Sequence, residues 1–164
     1  MEQIVRRTFQ PSVSSAELYA TTQGYAERGW TVAETANGVS LVSDRTVCGV
    51  EVVGELATRV RNYLESNALI GPVIDVPGDE PREIYLVTGI DRAALAVAAL
   101  REMGAVVHCD GAGIPLPPTQ LHAGSASWIV APDDARWIPP VVALSAAVRA
   151  VRGGSAAAAA RAAS

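Results

Sequence analysis

At 164 residues the chain is the size of one ordinary domain, large enough to bury a core without a metal or disulfide staple. Its formal net charge of −4 and pI near 5.1 set an average field that repels phosphate polyanions, so nonspecific nucleic-acid binding, which runs on Lys and Arg contacts, is not the expected role. The 49% hydrophobic content comes with only 5% aromatic residues, which implies a core of small aliphatic contacts.

Residues 1–13 read as an N-terminal arm, residues 14–152 as a single domain, and residues 153–164 as a flexible Gly/Ser/Ala tail. Ser14 and Glu17 have the spacing of a capping box, in which each side chain satisfies a backbone N–H of the first turn. A helix to about Arg28 follows, closed by Gly29. Trp30 to Glu34 and Val39 to Ser43 flank Asn37-Gly38, a dipeptide suited to positive φ in a tight turn, and predict a hairpin.

Val47 to Val50 is a short extended segment, after which Gly54 opens a second helix with Leu56, Val60, Tyr63 and Leu64 on its apolar face. Gly71-Pro72 stops it. Pro72 to Val76 and Glu83 to Thr88 read as strands around the polar turn Pro77 to Pro81, a second hairpin. Asp91 caps a third helix that Gly104 closes, and Ala105 to Asp110 returns to strand. Gly111 to Leu121, with Pro115-Leu116-Pro117-Pro118, is expected to be extended and partly polyproline-like. Ser125 to Ala131 gives another strand, and Pro139-Pro140 starts a last helix at Val141. From Gly153 the chain lacks large apolar residues, so a frayed end is expected. The pattern predicts an α+β fold, a mainly antiparallel sheet with helices packed on one face.

Chemistry-bearing residues are few. On a strand through Ala105 to Asp110, alternation puts His108 and Asp110 on one side, where a carboxylate can orient an imidazole. This is two-thirds of a triad, which Ser125 or Ser127 would have to complete. Asp75, Asp79 and Glu80 cluster at the second turn, where turn chemistry explains them without a metal. His122 sits alone in a loop, and Arg6 with Arg7 and Arg59 with Arg61 read as solvated arginines. Trp30, Trp128 and Trp137 fall at strands or their ends, where packing is the ordinary role and base stacking the exception. Arg59 and Trp128 are the candidates for ligand contact.

No phosphate-binding glycine loop, zinc-protease or nucleophile-elbow motif is present, so no cofactor and no metal is expected. Cys48 and Cys109 have neither C-x-x-C spacing nor companions and are expected to be reduced thiols. No apolar h-region follows Met1 to Arg7, and no stretch reaches about 18 uncharged apolar residues, so no membrane role and a cytoplasmic location are expected.

Taken together, Tyr25 to Trp30, Ile70-Gly71-Pro72-Val73, Gly113 to Thr119, Trp128 to Pro132 and Ile138-Pro139-Pro140 resemble small actinobacterial proteins related to the N-terminal domain of bifunctional DNA primase/polymerases, over about residues 16–150. The resemblance implies an archaeo-eukaryotic primase-like fold. Active members use an Asp-x-Asp pair on a strand to hold two divalent metals and a histidine to contact the nucleotide phosphates. This chain has no Asp-x-Asp; Asp75 stands alone on its strand, and His108 lacks the small-residue setting of the family's histidine. A single Asp is not expected to sustain two-metal polymerisation. The expectation is therefore a noncatalytic primase/polymerase-like binding or regulatory module for a protein partner or a nucleotide-like ligand. The alternatives are a small enzyme built around His108 and Asp110, and a structural or assembly protein that docks through its Pro-rich segment.

Overall fold

The computed structural model describes residues 13–163; residues 1–12, with Arg6 and Arg7 and nearly all of the expected arm, lie outside the described residues. In chain order the elements are α1 (Ser15–Glu27), β1 (Val32–Thr35), β2 (Gly38–Val42), β3 (Cys48–Val53), α2 (Glu55–Ser66), β4 (Val73–Asp75), β5 (Arg82–Val87), α3 (Ala94–Glu102), β6 (Val106–His108), β7 (Gly113–Leu116), β8 (Gln120–Leu121), β9 (Gly124–Ser125), β10 (Ser127–Val130) and α4 (Val141–Ala162). The fold is α+β, and every strand ladder is antiparallel.

A five-stranded sheet in the order β10-β4-β5-β3-β6 forms the middle layer. Alternation along its strands sorts the side chains. Val50, Val52, Val73, Tyr85 and Val87 face α2, α3 and α4, where they meet Val60, Leu64, Leu100, Leu144 and Val148 in one buried cluster. Ile74, Val76, Ile84 and Leu86 face the other way. The expected arrangement left that second face open, but a three-stranded sheet, β1-β2-β7, covers much of it with Val39, Leu41, Ile114 and Leu116.

Gly49 permits this close sheet-on-sheet contact: a Cβ there would lie 2.7 Å from Ile114 Cδ1 and 3.0 Å from Ile84 Cγ2. Tyr25 of α1 joins the same cluster with Trp30 and Trp128. Its hydroxyl donates to Pro117 O at 2.6 Å and accepts from Trp128 Nε1 at 3.1 Å.

Several local expectations are met. Ser14 and Glu17 form the reciprocal capping box, Gly54 precedes α2, and Pro140 precedes α4. Others are corrected. The first hairpin forms, but Thr35 pairs with Gly38, so the turn residues are Ala36 and Asn37. Gly38 serves contact instead: a Cβ there would lie 2.5 Å from Thr119 Oγ1, and that hydroxyl holds both Val39 N (2.9 Å) and Val39 O (2.7 Å).

The Pro-rich stretch is built into the fold: β7 pairs with β2 as the edge strand of the three-stranded sheet and buries Ile114 and Leu116 completely. Ala93, not Asp91, caps α3, since Ile90–Arg92 makes a 3₁₀ turn first. The expected frayed tail is helical through Ala162, in keeping with alanine's high helix propensity, although its side chains are exposed. By length and composition α4 could cross a membrane; its first three turns, however, pack Val141, Leu144 and Val148 into the core, and Arg149, Arg152 and Arg161 interrupt it.

Candidate functional site

The second sheet leaves one corner of the central sheet uncovered, and a cleft of about 480 Å³ opens there. Its floor is Val76 and Ile84, its walls are the Pro77-Gly78 turn and Pro115, and the loop carrying His122 forms its rim. Three polar side chains meet inside.

Glu51 lies mid-strand in β3 between Val50 and Val52, which point to the helices, so its carboxylate faces the cleft. Arg82 of β5 pairs with Val53 in register and reaches back across the sheet, placing Nε 2.9 Å and Nη2 2.6 Å from Glu51 Oε1. His108 of β6 stands opposite Gly49, and its Nε2 is 2.9 Å from Glu51 Oε2. Both carboxylate oxygens are therefore engaged.

The His108 hydrogen bond is the largest influence on Glu51 and lowers its pKa; burial works against it, and the Arg82 guanidinium adds to the lowering. Arg82 Nη1 and His108 Nδ1 have no protein partner among the described residues, and neither has the exposed ring of His122. The site thus turns unused nitrogens toward an apolar-floored cavity. Among the described residues, no group of three or more His, Cys, Asp or Glu is placed to hold a metal.

Of the expected site residues, only His108 is central. Asp110 does not share its face, because β6 ends at His108 and Asp110 turns into the left-handed region at φ 55°, which breaks the alternation. Its carboxylate instead accepts from the Cys109 thiol at 3.5 Å. Asp75 is on the opposite face of the sheet from the cleft, since its neighbours Ile74 and Val76 point to the second-sheet core. Ser125 accepts from Gln120 Nε2, and neither it nor Ser127 lines the cleft, so no triad forms.

Arg59 ties α2 to α4 by donating to Val151 O at 2.7 Å. Trp128 packs edge-on to Tyr25, with ring centroids 6.2 Å apart. Asp79 and Glu80 are exposed turn residues, as the turn chemistry predicts. Sequence reasoning missed Glu51 and Arg82. The available signal was a carboxylate in the otherwise apolar run Cys48–Val53, since a strand buried on both faces keeps a charge only when it is paired.

No family model matches this chain, and no curated protein or solved structure does either.

Proposed function

We propose that the chain is a noncatalytic, primase/polymerase-like binding module whose ligand seat is the cleft at Glu51, Arg82 and His108, and that its ligand is a nucleotide-like anion. The observation that carries this reading is the condition of Glu51. Both of its oxygens are taken up by Arg82 and His108, while Arg82 Nη1 keeps N–H donors that have no partner among the described residues. The spare Arg82 donors favour an incoming anion over a cation.

The same strand bears on inactivity. Two positions beyond Glu51, on the same face, stands Val53, so β3 offers one carboxylate where a two-metal site needs a converging pair. A volume of about 480 Å³ lies within the usual span for small-ligand cavities, about 300–1,000 Å³. The apolar floor of Val76 and Ile84 suits a base or sugar face. The same reading places the protein in the cytoplasm, in keeping with its two free thiols.

Calorimetric titration with ATP tests it. Wild type is expected to bind, Arg82→Ala to bind at least about tenfold more weakly, and neither to extend a primed template with manganese. Unchanged ATP affinity in Arg82→Ala, or primer extension abolished by Glu51→Gln, overturns the proposal.

One contact favours a second reading. A carboxylate 2.9 Å from an imidazole nitrogen is how a general base is held in orientation. Among the described residues no Ser, Thr or Cys lines the cleft, so His108 would act on a water or substrate proton and not through one of these nucleophiles. A turnover that disappears in His108→Gln while ATP binding persists distinguishes this reading from the first.

A further inference from the structure

A second cavity, of about 290 Å³, lies at the end of the ladder joining β3 to β6, and both cysteines line it. The ladder pairs Val50 with Val107 and ends with Gly49 opposite His108; Cys48 and Cys109 are the next residue on each side of that last pair, and both line the same cavity. Directly opposed residues of an antiparallel pair have Cα atoms about 4.5–5.5 Å apart. That falls inside the range of about 4.4–6.8 Å that a disulfide spans without moving the backbone.

The two side chains also share a face. Cys48 is buried in the helix-side core, and Cys109 packs against that core. We propose that Cys48 and Cys109 form a redox modification site, a cross-strand disulfide made by an uncharged peroxide.

Three further observations define the chemistry. Cys109 is the accessible partner: it is partly exposed, and Arg101 Nη2 lies 3.9 Å from its sulfur, whereas Cys48 is 3% exposed and donates to Asp44 O at 3.0 Å. The cavity rim carries Asp44, Asp91 and Asp110 against the single Arg45, which disfavours anionic oxidants such as glutathione disulfide. Ser43 also lines the cavity; its hydroxyl is buried and has no hydrogen-bond partner among the described residues, so it can hydrogen-bond a small polar guest.

The reaction balances as two steps. The Cys109 thiolate attacks one peroxide oxygen, the O–O bond breaks, and hydroxide leaves with the thiol's proton as water, giving a sulfenic acid. Cys48 then attacks the Cys109 sulfur, the S–O bond breaks, and a second water carries off the remaining proton. Two thiols lose two electrons and the peroxide gains them. Burial, with Asp110 beside it, raises the Cys109 pKa, and burial followed by Cys109 raises that of Cys48 to about 11, so oxidation should be slow at neutral pH and quicken as pH rises.

The site is independent of the ligand reading, and either can fail alone. The test treats reduced, full-length protein with hydrogen peroxide or, at equal oxidising equivalents, with glutathione disulfide. Free thiols are then alkylated in denaturant and peptides mapped without reductant. A Cys48 peptide linked to a Cys109 peptide of the same chain is expected, formed faster by peroxide and reversed by dithiothreitol. In Cys48→Ser, dimedone should trap Cys109 as its sulfenic acid, while in Cys109→Ser the remaining Cys48 should stay alkylatable. Full alkylation of both thiols in wild type, oxidation of Cys109 alone to sulfinic acid, or a Cys109 link between two chains overturns the proposal.

Discussion

Two carboxylates one strand apart show how location decides what an ion pair does. Glu83 of β5 faces the helices: Arg61 Nε lies 3.0 Å from its Oε1, its second oxygen accepts from the Tyr85 hydroxyl, and its side chain is only 4% exposed. Glu51 of β3 faces the cleft with equally close partners, but Arg82 is 41% exposed and holds donor capacity in reserve. The helix-side cluster is closed on itself. Burial, with Glu83 next, pushes the Tyr85 phenol far up, so it stays protonated, its one O–H proton shared between Glu83 and Ala57 O, which lies 2.9 Å away. The same pairing chemistry therefore acts as a brace on one face of the sheet and as a ligand seat on the other.

The largest expected effect breaks the brace. Glu83→Ala removes the close partner of Arg61, leaving it only Glu65 at 3.8 Å, and one of the two acceptors of the buried Tyr85 hydroxyl, and should cost at most about 3 kcal/mol, the lower end for breaking a buried pair. Urea unfolding measures it. Tyr85→Phe keeps the ring packed and removes the single hydroxyl proton that Glu83 and Ala57 O share; a loss of about 1–2 kcal/mol is expected in the same assay. Glu51→Gln should cost about 1 kcal/mol or less, because water reaches the half-open Arg82. If Glu51→Gln destabilises as much as Glu83→Ala, the cleft cluster is also a brace and the contrast between the faces fails.

Local chemistry was readable from the residues. The Ser14 and Glu17 pair, Gly54 and Pro140 mark helix starts through backbone rules that need no tertiary partner. Where the residues misled, a distant contact had overridden the local one. Asn37-Gly38 carries a turn signal, yet Gly38 is needed to admit Thr119, eighty-one positions away in the chain. His108 was identifiable as chemistry-bearing, but its partner was not, since pairing it with Asp110 assumed a strand that runs two residues further than β6 does. The partnership with Glu51 depends on which strands become neighbours, and strand order is a property of the assembled sheet. Alternation through Val50, Glu51 and Val52 did imply that Glu51 faces away from its neighbours; that the second sheet leaves that corner uncovered depends on how Gly49 seats Ile114.

Acid should separate the cleft from a third, purely local device by a smaller effect. The Glu51 pKa is lowered from 4.5, chiefly by His108, so the folded protein binds fewer protons there than the unfolded chain. Its stabilisation is complete above the unfolded value and is lost as pH falls through the folded one. Asp44 behaves likewise from a lower starting value: hydrogen bonds led by the Thr46 hydroxyl, with Val47 N, bring its pKa from 3.8 to about 2. Wild-type melting temperature should therefore decline as pH falls from about 4.5 toward 2. Glu51→Gln is expected to flatten the onset of that decline just below 4.5, and Asp44→Asn the part between 3.8 and about 2, read by thermal melts across the range. An upper slope that survives Glu51→Gln unchanged would mean that His108 and Arg82 do not hold the cleft carboxylate in its charged form. The anion-ready state of the site would then lose its electrostatic basis.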